Sequence, residues 1–127
     1  MIISSVDRTS RALGGGGEIR WRSLARRGML HCECESFDYV RLSPGAEIPL
    51  RGREGTEGAW FTLAGSGRLV EAGAAPAGRA LRAGDLILLP DGEEGRLLGG
   101  DGGLELLWLA VMPRDVTQSL PPRRPVA

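Results

Sequence analysis

Residues 82–92 read RAGDLILLPDG, and residues 61–70, a little upstream, read FTLAGSGRLV. Each holds a short apolar run fenced by glycine turns, and Pro90 closes the later one because proline has no N–H to extend a ladder. The same rhythm continues outward in both directions. Candidate strands at 18–22, 29–42, 46–51, 59–64, 67–71, 79–82, 86–89, 95–98 and 104–112 are separated by SPG, AGSG, EAGAAPAG, RAGD, PDGEEG and GGDGG. Runs of about four to eight residues with turn signals between them predict an all-β sandwich or barrel. A helix is expected only around residues 22–27, RSLARR.

The chain has 127 residues, one domain's worth, with 42% hydrophobic and 25% charged residues. Those proportions are ordinary for a globular protein with a moderate core. A formal net charge of zero leaves no electrostatic footprint for nucleic acid or an anionic membrane surface. Arginine is used in place of lysine throughout, and asparagine is absent, beside 20 glycines. That is the codon bias of a GC-rich bacterial genome. The opening MIISSVDRTSR has no basic segment followed by an apolar stretch, and no apolar run nears the ~18 residues of a membrane span. A cytoplasmic protein is therefore expected. Three segments are expected: a flexible N-terminal arm over 1–17 that ends in GGGG, a barrel over 18–113, and an extended tail over 114–127.

Two long segments set the faces. Over 29–42, strand alternation puts His31, Glu33, Glu35, Phe37, Tyr39 and Arg41 on one side. Cys32, Cys34, Ser36, Asp38, Val40 and Leu42 take the other, unless a β-bulge exchanges them midway. Segment 104–112 (LELLWLAVM) is apolar on both faces apart from Glu105, as in a central strand buried on both sides or covered by a partner subunit. Cys32 and Cys34 are too close along a strand for a comfortable disulfide, so reduced thiols are expected.

The glycines and prolines fall in a pattern that resembles the cupin superfamily. Its first motif, G-x5-H-x-H-x(3,4)-E-x6-G, aligns Gly45 and Gly65, with Pro49 ahead of the histidine slots. Those slots hold Arg51 and Arg53, and the glutamate slot holds Gly58, with Glu57 one position away. The second motif, G-x5-P-x-G-x2-H-x3-N, matches at Gly84, Pro90 and Gly92, while its histidine and asparagine slots hold Gly95 and Gly99. The resemblance spans residues 36–112 and implies a jelly-roll β-barrel of two antiparallel sheets, a small-molecule ligand inside it and a homodimer. In the family, imidazoles and a carboxylate hold a metal. Guanidinium groups have only donors and stay charged, so neither a metal nor another cofactor is expected.

Arg51 and Arg53 lie at i and i+2, pointing the same way about 7 Å apart. Three arrangements are open for them: a clamp on an anionic ligand, an internal ion network with Glu57, Asp38, Glu33 or Glu35, or a bulge in RGREG that turns one outward. Some metal-free members of the superfamily use a histidine–carboxylate pair as general base, a task that His31 would suit chemically, as Tyr39 would suit an acid. Against this, His31 matches no histidine position of those enzymes, and a surface histidine and a packed tyrosine are the plainer alternatives. Trp60, Phe61 and Trp108 either line the pocket, favouring an apolar or planar ligand, or pack the core.

By resemblance, the function expected is a metal-independent enzyme of bacterial specialised metabolism acting on a small anionic or polyketide-like metabolite. Isomerase, cyclase, dehydratase and decarboxylase chemistry all fit an arginine pair that stabilises oxyanion charge, with Glu57, Glu33 or Glu35, or else His31 or Tyr39, moving the proton. The alternatives are a non-catalytic sensing module and a structural partner with a filled barrel.

Overall fold

The computed structural model describes residues 1, 3–29, 34–51, 56–112 and 114–119. Its strands, all antiparallel, are β1 (Ser10–Gly14), β2 (Gly17–Arg26), β3 (Cys34–Leu42), β4 (Glu47–Arg51), β5 (Glu57–Glu71), β6 (Arg79–Arg82), β7 (Leu86–Leu89) and β8 (Glu94–Val111). A short helix, α1, spans Arg114–Ser119.

Two long strands organise the rest. The second half of β8, Leu104–Val111, lies between β3 and the first half of β5, and β2, β1 and β7 extend that sheet outward. The first half of β8 pairs with β4 on one side and with the second half of β5 on the other, beyond which lies β6. Each long strand thus leaves one sheet and enters the other. The change occurs at register shifts between Thr62 and Ala64 and between Gly65 and Gly67. Gly65 has φ of 85°, and a Cβ there would stand 2.1 Å from the Gly103 carbonyl oxygen. Only a glycine lets the two backbones close this corner.

The space between the sheets is filled by inward side chains at alternate positions. Leu42, Leu97 and Leu106 are fully buried, with Val40, Leu50, Trp60, Leu69, Leu81 and Leu104 around them.

Several expectations change. The AGSG stretch is no turn between two strands but the bend inside β5, and GGDGG likewise lies inside β8. RSLARR is strand up to Arg26, not helix, because β3 supplies it with backbone partners and so short a segment is marginal as an isolated helix. The last residues of the expected arm form β1, and GGGG is its hairpin link to β2, with Gly15 at φ of 63°. The tail begins with a helix, since RDVTQS precedes the first proline of the PPRRP run and carries Asp115 in its first turn, where an acidic side chain is favourable. β8 is central, yet its outer face is only partly covered, Leu109 being 37% exposed.

Gly65→Ala is expected to destabilise the protein by about 2 kcal/mol or more in urea unfolding. Gly102→Ala, whose added methyl meets nothing within 4 Å, should stay within about 0.5 kcal/mol of the parent. Equal effects would show that the corner is not so tight.

Candidate active site

The inward residues of β2, β3, β5 and β8 line a cavity of about 1050 Å³ between the sheets. One ladder rung crosses its floor. Ser23 on β2 faces Asp38 on β3, Asp38 faces Trp108 on β8, Trp108 faces Trp60 on β5, and Trp60 faces Ile87 on β7. The two indoles are stacked, with ring centroids 4.7 Å apart and planes 5° from parallel. Gly58 makes room for this pair, because a Cβ there would come 3.0 Å from Trp108 Nε1. Ile48 and Leu50 of β4, Leu89 of β7 and Val116 of α1 line the cavity as well.

Two bulges shape the rim. The register of β2 against β3 shifts between Ser23 and Ala25, so Leu24 is an extra residue. Before it, Ile19, Trp21 and Ser23 line the cavity; after it, Ala25 is passed over and Arg26 does so. In β3 the register against β8 shifts between Cys34 and Ser36, and the extra residue Glu35 joins Ser36, Asp38 and Val40 on the cavity side. Glu35 pairs with Arg27 at 2.6 Å.

Within this setting Asp38 is electrostatically unusual. Burial raises its carboxyl above the ordinary range, and a hydrogen bond with Ser23 offsets part of that rise. Its Oδ1 is buried without a hydrogen-bond partner among the described residues, as are Trp60 Nε1 and, deeper in the core, Thr62 Oγ1. Unpaired buried polar atoms are costly and point to a missing partner or a functional role.

No protein-family model matches the sequence, and no curated protein matches it. Solved structures do. A predicted oxalate decarboxylase from Thermotoga maritima superposes with a TM-score of 0.75 at 24% identity, covering 88% of this chain and 99% of that one. A cupin 2 conserved barrel protein from Salinispora arenicola gives 0.71 at 20% identity, covering 93% and 94%. The chain has the cupin fold. The cupin domain of an XRE-family transcriptional regulator from Enterobacter cloacae shares it too, at a TM-score of 0.64 and 13% identity over 76% of this chain and 98% of that one. At such identities the likeness is one of fold.

The donor set of this barrel does not suit the metal that the resemblance implies. Gly58 and Gly95 offer no side chain at their ligand positions, and Arg51 and Arg53 carry cations that only donate. Among the described residues no three His, Cys, Asp or Glu side chains converge.

Of the residues singled out from sequence, Asp38, Glu35, Trp60 and Trp108 come together in the cavity. Tyr39 does not: it lies on the opposite face of β3 from Asp38, its hydroxyl donates to Glu105, and burial together with that carboxylate pushes its pKa up to about 12. Phe61 also points out of the cavity, 41% exposed, and Glu57 is exposed at the start of β5. His31, Glu33 and Arg53 lie outside the described residues. Arg51 ends β4 opposite Glu94, but its side chain lies outside the description as well. Trp21, Ser23, Arg26 and Arg27 were not anticipated. The alternation of Ile19, Trp21 and Ser23 was a usable strand signal, while the bulge that follows leaves no mark in the sequence.

Asp38→Asn tests the burial of the carboxyl. Because its folded value lies above the unfolded one, the ionised form destabilises the fold, a penalty absent at low pH and complete above the folded value. The variant should melt with the parent below about pH 4 and above it at neutrality. A difference in melting temperature independent of pH would contradict this.

Proposed function

We propose that this protein binds a small anionic, polyketide-like metabolite in the cavity and moves a proton on it without a metal, as a cytoplasmic enzyme of bacterial specialised metabolism. The observation that carries this reading is the Asp38 carboxyl, held in the cavity beside the stacked indoles with one oxygen unpartnered among the described residues. A carboxyl raised by burial is a better base once ionised and remains a competent acid closer to neutrality. Ser23 holds it from the neighbouring strand, and the indoles make the same space less polar. Proton transfer at a carbon or oxygen of the ligand serves isomerisation, cyclisation, dehydration or decarboxylation equally. Arg51 and Arg53 belong to this proposal as anion-stabilising groups.

A sensing role is the second reading, favoured by the occurrence of the same barrel in a transcriptional regulator. One experiment separates the two. Small conjugated acids, phenols and β-keto acids are screened by thermal shift, and each hit is followed in D2O by proton NMR. Exchange or conversion that Asp38→Asn slows at least about 100-fold, with binding retained, is the expected result. Binding without exchange for every hit would assign the sensing role and overturn the catalytic one.

We also infer that a second copy of the chain covers the outer face of the larger sheet. There Leu109, Ala59 and Leu88 form one cross-strand row and Leu107, Phe61 and Leu86 the next, with no charge in either. Leu88 is 68% and Leu86 57% exposed; apolar patches of this kind mark protein contacts, and a two-fold pair sets the same patch of both copies face to face. Light scattering at micromolar concentration should give a dimer for the parent and a monomer for Leu88→Glu. A monomeric parent would rule the dimer out.

A further inference from the structure

We infer that the ligand is a planar carboxylic acid whose carboxylate is held by Arg26 at the cavity rim and whose conjugated plane rests against Trp108. The inference rests on the cavity reading above and adds the ligand's charge, shape and anchoring residue.

The charge argument begins at the bulge. Without Leu24 as an extra residue, strict alternation from Ser23 would turn Ala25, not Arg26, into the cavity. Bulges beside a site commonly re-aim one side chain in this way. Arg27 is already satisfied by Glu35, at 2.6 and 2.8 Å, whereas Arg26 has no ion-pair partner among the described residues. Among the described residues of the rim, these two guanidiniums against one carboxylate leave a single positive charge. That balance suits a monoanion, and Glu35 disfavours a dianion such as a phosphate ester. A planar guanidinium matches a carboxylate by two parallel hydrogen bonds.

The shape argument comes from the floor. Trp60 is only 4% exposed, while Trp108 beside it lines the same cavity and stays half-buried. An indole left partly open in a cavity offers a stacking surface for a flat ligand. Spacing then links the two ends. Arg26 faces Ser36, two residues before Asp38 on β3, so the rungs of the anchor and of the proton-transfer group lie about 7 Å apart. That is a ring's width, so the carboxylate and the group that meets Asp38 lie at opposite ends of one plane.

The probes are 2-naphthoate, its saturated counterpart decahydro-2-naphthoate, and the uncharged 2-naphthamide, each titrated calorimetrically into the full chain. 2-Naphthoate is expected to bind at least about tenfold more tightly than either of the others. Arg26→Met should abolish its advantage over 2-naphthamide while leaving 2-naphthamide binding unchanged, which also shows that the variant is folded; Arg26→Lys should restore part of the advantage. Trp108→Leu should abolish the preference for the flat over the saturated acid. An unchanged ratio of naphthoate to naphthamide in Arg26→Met would overturn the anchor, equal binding of flat and saturated acids would overturn the stack, and silence from all three would overturn both. The cavity reading falls separately, through the Asp38 exchange experiment, and it survives if a ligand lacking a plane or a carboxylate is turned over there.

Discussion

The approach of two backbones at Gly65 and Gly103 governs the architecture. A fifteen-residue strand and an eighteen-residue strand can each serve two sheets only if they bend together, and the bend leaves no room for a side chain at Gly65. Once these strands are bent, every other element has a place: β3, β2 and β1 continue one sheet, β7 closes its far edge, and β4 and β6 flank the other. The inward leucines then meet across the gap. What they do not fill, toward β2 and the start of β5, is the cavity.

That cavity combines groups of opposed demands. Stacked indoles and aliphatic side chains lower the polarity around Asp38, which its charged form resists, while a single serine hydroxyl offers partial relief. Proteins retain such a conflict where the group does work, because apolar packing of the same volume would be more stable. Tyr39 shows the contrast on the other side of the same strand. Its proton is held by burial and a neighbouring carboxylate until strongly alkaline pH, a fit role for a structural hydrogen bond and a poor one for proton exchange near neutrality.

Much of this was legible in the sequence. Glycines and prolines at 45, 65, 84, 90 and 92 mark corners whose geometry depends on local backbone chemistry, so the barrel could be anticipated from them. Trp60 and Trp108 could be suspected because large aromatics on neighbouring strands tend to share a face. Bulges are different. They depend on how one strand is paired with another, so neither Leu24 nor Glu35 announces itself, and without them the face of β3 that lines the cavity could not be chosen. The strand character of RSLARR escaped for a related reason, since its partners lie elsewhere in the chain. Motif alignment drew attention to Arg51 and Arg53, whereas the arginine displayed at the rim belongs to a strand that the motif does not include.

The single extra residue in β2 carries a lesson about how such barrels diverge. Substitution alters one side chain at a time and leaves its neighbours aimed as before. Insertion or loss of one residue at a bulge shifts the reading frame of the pleat instead, exchanging every inward side chain beyond it for its outward neighbour. Here that frame decides whether the rim shows an alanine or an arginine, an apolar lip or a cationic one. Ligand preference in this fold can therefore change in one genetic step that leaves the composition of the strand almost untouched, and comparison by aligned columns alone would pass over it.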